Sequence, residues 1–136
     1  MKAVLDTRFL VAHFFGQREL TKWTRSTVQS LQNGSNLGIV PSIVIHEFYK
    51  FVLQNQGSDL ADMRVQSILT SKMSAVNLDP AIGIQAAKLR CKYAELPTAD
   101  AIIAATAIAT SSDCVLTDDK HIKQIKETKT RWLSNA

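Results

Sequence analysis

Four acidic clusters stand where an α/β chain places its reaction chemistry: Asp6 in AVLDTRFL, Glu47 in SIVIHEFYKFV, Asp100 in LPTADAIIAATA, and the pair Asp118–Asp119 in CVLTDDKHI. Asp6 and the Asp118–Asp119 pair each follow a short apolar run that reads as a buried strand. Glu47 and Asp100 each lie near the start of a strongly apolar helix. The carboxyl ends of the strands of an open parallel sheet form its ligand crevice. Carboxylates gathered there repel one another unless a positive charge holds them. A divalent ion with oxygen ligands, Mg²⁺ or Mn²⁺, answers that need. The chemistry this predicts is phosphodiester hydrolysis by metal-activated water.

Each residue also has a plainer reading. Asp is a preferred helix N-cap, which would account for Asp6 and for the aspartates after CVLT. A first-turn Asp gains from the helix dipole, which would account for Asp100. Glu47, among Ile43, Val44, Phe48, Phe51 and Val52, needs a partner if ionised, and a salt bridge to Arg or Lys would supply it. No plain reading explains why all four clusters occupy strand ends and helix starts together.

The elements that position them follow from periodicity and punctuation. Strands are predicted at Lys2–Leu5, Leu37–Val40, Ala75–Leu78 and Cys114–Thr117, with a last edge strand at Thr130–Leu133. Helices are predicted at Thr7–Phe15, Glu19–Gln32 (ended by Asn33-Gly34), Ile43–Gln54 (capped by Ser42), Asp59 to about Ser71, Pro80 to about Ala94, Thr98–Ala109 (capped by Thr98), and a short turn to about Lys126. Strands separated by such helices imply crossover connections and a parallel, helix-covered sheet. The chain has 136 residues, enough for one domain with a real core, and it shows no internal repeat or linker.

Composition narrows the function class. No apolar run approaches the ~18 residues of a membrane span. The start MKAVLDTRF meets a charge too early for a signal peptide, so a cytoplasmic protein is expected. Cys91 and Cys114 form no CxxC and read as reduced core thiols rather than zinc ligands. The net charge is +4. A chain that collects carboxylates in one pocket and is still basic must be more basic elsewhere, which suits a polyanion. Lys120, Lys123, Lys126, Lys129 and Arg131 make a basic C-terminal stretch. His13, His46 and His121 show no metal-ligand spacing. His46 is expected on a different helix face from Glu47. Trp23 and Trp132 read as core or interface residues.

The chain resembles PIN-domain ribonucleases, close to the VapC toxins of toxin–antitoxin pairs. The resemblance covers nearly the whole sequence. It rests on the apolar strand ending in Asp6-Thr7, on Glu47 in the helix after the second strand, on PTADAIIAATA with Asp100, and on LTDDKHI. It implies a single PIN-like domain over residues 1–136, three α/β/α layers around a parallel sheet of four or five strands. It implies a Mg²⁺- or Mn²⁺-dependent endoribonuclease, a homodimer, and a small antitoxin whose tail blocks the pocket. Carried over, the catalytic residues are Asp6, Glu47, Asp100 and Asp119, and the metal is held by these with Asp118 as an alternative or a support. Thr7, Arg8, Thr117 and Lys120 are the expected substrate-side residues. Arg8 departs from the small polar residue usual in the family. It could pair with Glu47 or Asp119, contact substrate phosphate, or compete with metal. Two other readings are a PIN-fold RNA-processing nuclease without an antitoxin, and a catalytically silent PIN-fold RNA- or protein-binding module.

Overall fold

Strand β1 (Lys2–Leu5) sits at the centre of a five-stranded sheet of order β3-β2-β1-β4-β5, and every pairing is parallel. The computed structural model describes residues 1–33 and 36–133. The other strands are β2 (Leu37–Pro41), β3 (Ser74–Val76), β4 (Cys114–Leu116) and β5 (Thr130–Arg131). Ala3, Val4, Leu5 and Val115 are fully buried. A strand covered on both faces reads as a continuous apolar run, which is why β1 and β4 were legible without alternation.

Seven helices connect the strands among the described residues: α1 (Thr7–Phe15), α2 (Arg18–Leu31), α3 (Ser42–Gln56), α4 (Ser58–Leu69), α5 (Pro80–Lys92), α6 (Thr98–Ala109) and α7 (Lys120–Lys123). Right-handed crossovers put α1 to α4 on one face as the chain steps from β1 to β3. They put α5 and α6 on the other as it returns to β4. Two apolar cores match these layers. One gathers Phe9, Leu10, Phe48, Val52 and Ile68 against the strands. The other packs Ile82, Ala86 and Leu89 of α5 against Ala101, Ala104 and Ala105 of α6. Residues 101–107 of α6 are all buried, because α5 covers its outer side while Ile103 and Ala107 reach the first core. A helix enclosed all round loses its amphipathic signature. Its small residues let it lie close to the sheet.

The boundaries differ from the sequence reading at the caps. Ser42, Asp59 and Thr98 all lie inside their helices, with Pro41, Gly57 and Pro97 at the N-cap positions. The Ser42 hydroxyl instead accepts from the backbone N–H of Leu78, 3.2 Å away. That contact lies just past the shortened β3, where residues 77–79 lead into α5. Asp79 caps α5 as expected, accepting from Ile82 N–H at 2.8 Å. Gly57 turns α3 into α4 at φ +88°, a backbone region that favours glycine. Helix α2 ends at Leu31 with Gln32 at its C-cap, and the Gly34 of the expected stop lies outside the described residues. Cys114 is buried as expected, but Cys91 is exposed on α5 and is not a core thiol.

Candidate active site

The sheet reverses its winding between β1 and β4, and that switch point is where an open α/β sheet leaves a crevice. Leu5 pairs with Leu116, so the next residues of the two strands, Asp6 and Thr117, emerge side by side. Asp6 is the N-cap of α1: Thr7 N–H donates to its Oδ1 at 2.7 Å. The Thr117 hydroxyl donates to Oδ2 at 2.5 Å. Capping and site geometry are therefore the same fact, since the cap fixes the carboxylate at the crevice. Asp6 is only 3% exposed. Burial pushes its pKa from 3.8 up to about 6, against the Thr117 and Thr7 hydrogen bonds, with the Asp119 and Glu47 charges adding to the rise.

Glu47 reaches the crevice from α3, where the Thr7 hydroxyl donates to its Oε1 at 2.9 Å. No ion pair found among the described residues involves Glu47, so the expected salt bridge is absent there. Asp100 lies in the first turn of α6 but does not cap it, and no hydrogen bond found among the described residues reaches its carboxylate. Its pKa rises from 3.8 to about 7, first through burial and then through the charges of Asp119, Asp6 and Glu47, with Arg8 opposing. Asp119 caps α7, accepting from His121 N–H at 2.7 Å. Its own N–H donates to the Thr117 hydroxyl at 3.0 Å. Thr117 thus clamps Asp6 and Asp119 together.

Asp6, Glu47, Asp100 and Asp119 are in this way brought within electrostatic reach of one another from four elements. Asp118 is turned aside: its Oδ1 takes the Arg8 Nε at 2.6 Å, and an Arg8 terminal nitrogen lies 3.8 Å from Asp119. Arg8 points at the cluster, with Asp118 as its main partner. Thr7 and Thr117 brace carboxylates. Lys120 is exposed at the start of α7 and makes no ion pair found among the described residues. His13 is half-buried at the edge of the core, 3.0 Å from the Thr24 hydroxyl and stacked on Phe9. Trp23 and Trp132 meet Phe9 edge-on, as core residues do.

As they stand, no three Asp, Glu, His or Cys side chains among the described residues close into a ready-made ion cage. The donor set nevertheless fits a hard divalent cation, because it is all carboxylate oxygen and short of positive charge. Burial first, and then that shortage, raises the pKa values of Asp6 and Asp100. A cation there would reverse it.

The sequence reading missed a cleft of about 520 Å³ that opens beside Glu47, between α3 and α6. His46, Lys50 and Gln54 line it, as do Phe51 and Thr98. The signal was present: polar residues 46, 50 and 54 recur at a spacing of four along α3. His46 and Glu47 were expected to face apart, yet the cleft is wide enough to take both.

No curated protein matches the chain. Solved structures do share its fold. VapBC2 of Rickettsia felis, bound to a DNA fragment from its promoter, superposes with a TM-score of 0.80 at 18% identity, covering 97% of this chain and 99% of that one. Mycobacterium tuberculosis VapC20, a sarcin–ricin loop cleaving toxin, gives 0.74 at 14% identity over 90% and 93% of the two chains. A toxin–antitoxin complex from Klebsiella pneumoniae gives 0.68 at 23% identity over 93% and 94%. The sequence itself matches the PIN domain over residues 3–128, which takes in all but the first residue of β1, every carboxylate of the crevice and α7. The chain belongs to the PIN domain family.

Proposed function

We propose that this PIN domain is a metal-dependent endoribonuclease and the toxin of a toxin–antitoxin pair, acting as a cytoplasmic homodimer. The observation that carries the reading is the coupling of Asp6, Glu47, Asp100 and Asp119 at the β1/β4 switch point, where burial and mutual repulsion raise two of the four pKa values. The toxin assignment draws support from the fold, which is shared with VapBC assemblies and with a toxin that cleaves the sarcin–ricin loop.

Asp6, Glu47, Asp100 and Asp119 would hold one or two Mg²⁺ or Mn²⁺ ions. Bound there, the ion would supply Lewis acidity that lowers the pKa of water and offsets phosphate charge. The chain supplies the rest. Thr7 and Thr117 hold the Glu47 and Asp6 carboxylates in place, and the cap of α7 holds Asp119. Asp100 is the one carboxylate of the four without a hydrogen-bond donor among the described residues, which leaves an oxygen free to take a proton from attacking water. Arg8 trims the negative charge of the cluster from its rim, and its 2.6 Å bond to Asp118 holds it there.

That position of Arg8 also gives the silent binding module its one specific argument. The deciding experiment is a Mn²⁺ titration and a cleavage assay on a mixed RNA panel, run beside Asp6→Asn. Metal uptake and cleavage by the unaltered protein, both lost in Asp6→Asn, are expected. No uptake and no cleavage would favour the silent module. A small antitoxin that co-purifies and inhibits would separate the toxin from a processing nuclease.

A further inference from the structure

The acidic centre leaves a problem for its own substrate, because a polyanion must approach four carboxylates. The cleft between α3 and α6 answers it. Thr7 and Glu47 belong both to the centre and to the cleft wall, so the two spaces are continuous. Among the described residues, Glu47 is the only acid in that wall. Lys50 sits one turn further along α3, about 4.5 Å, and Gln54 a turn beyond it. Both are exposed, and Lys50 is held by no ion pair found among the described residues. Phe51 presents a half-buried ring to the same space, and Thr98 closes it from α6. A cation, an aromatic face and an amide in sequence along one wall match the phosphate, the base face and the base edge of a nucleotide. The space on the other side of the centre differs: beyond Arg8 it is walled by Val11, Phe15, Leu20 and Trp132, which suits an apolar segment better than phosphates.

We infer that the α3–α6 cleft is a nucleotide subsite of the centre, in which Lys50 holds the phosphate next to the cut, Phe51 stacks the adjoining base and Gln54 meets its edge, so that single-stranded RNA leaves the centre along α3. This rests on the ribonuclease reading above. Lys50 and Gln54 are substrate-binding and specificity residues; neither reaches the carboxylates' chemistry.

The test uses the full chain and a short single-stranded oligoribonucleotide, with Lys50→Gln, Gln54→Ala and, as a charge control, Lys88→Gln on the exposed side of α5. Lys50→Gln is expected to raise KM about fivefold with kcat nearly unchanged, the pattern of lost ground-state binding. It should also lower the salt slope of binding by about 0.7, the share of one single-strand phosphate contact. Gln54→Ala should shift the preferred cut site. The inference is overturned if Lys88→Gln has the same effect, or if Lys50→Gln leaves KM and the salt slope unchanged. Fluorescence anisotropy on the same oligoribonucleotide keeps the two readings apart. Binding that depends on Lys50 without any cleavage would sink the nuclease and keep the subsite. Cleavage indifferent to Lys50 would do the reverse. If the oligoribonucleotide neither binds nor is cut, both fall.

Discussion

Asp100→Asn should stabilise the metal-free protein at alkaline pH, and the gain should fade as the pH is lowered. The carboxylate has no hydrogen-bond donor among the described residues, so the amide loses nothing by replacing it, and a neutral group ends its repulsion by Asp119, Asp6 and Glu47. Its folded pKa of about 7 lies above the ordinary 3.8. A raised carboxyl pKa means that folding disfavours the charged form. The penalty is absent below the unfolded value, grows as the unfolded chain ionises first, and is complete above the folded value. Taken whole, a rise of that size corresponds to about 4 kcal/mol. Asp100 is partly open to solvent, and screening reduces this to about 1–2 kcal/mol. For a domain of this length that is a rise in Tm of roughly 5 °C at pH 8, falling to about two-fifths of that at pH 5 and to about a tenth near pH 4. Thermal and urea unfolding of both proteins with chelator present, at pH 8, 5 and 4, measures it. A lower Tm for Asp100→Asn at pH 8, or a gain that does not change with pH, would refute the reasoning and make Asp100 a structural residue.

Three more outcomes follow from the same geometry. Arg8→Ser should tighten Mn²⁺ binding by about 1 kcal/mol, roughly fivefold, since the pair it breaks is largely exposed; calorimetry showing equal or weaker binding would make Arg8 no competitor. Thr117→Val should cost about 1.5–3 kcal/mol in urea unfolding, because it removes a buried donor to Asp6 and the acceptor of Asp119 N–H; a loss below 0.5 kcal/mol would mean the clamp is idle. Saturating Mn²⁺ should raise Tm, by the equivalent of about 2.7 kcal/mol at a hundredfold excess over Kd, and Asp6→Asn should abolish that rise.

Much of this was legible in the sequence because burial and cap chemistry leave local marks. The strands β1 and β4 showed as apolar runs ended by Asp6 and by Thr117-Asp118-Asp119, and the carboxylates showed as acids at strand ends and helix starts. The neighbouring of β1 and β4 left no local mark, since strand order is not a local property. The separate surroundings of Asp118 and Asp119 were hidden too: Arg8 reaches across from α1 to take Asp118, and α7 uses Asp119 as its cap. Three of the expected caps slipped by one or two residues because Pro41, Gly57 and Pro97 set the helix starts through backbone conformation rather than side-chain bonds. The stripe of residues 46, 50 and 54 went unread because its meaning depends on α6 standing opposite and making a cleft.

Carboxylates that direct water onto an RNA phosphate leave their record in the chemistry of the product ends. Purified protein, stripped of metal and given Mn²⁺, should cut an end-labelled single-stranded RNA to leave a 5′ phosphate and a 3′ hydroxyl, with no cutting by Asp6→Asn or in chelator. Products ending in a 2′,3′-cyclic phosphate, or cleavage that survives Asp6→Asn, would contradict the account.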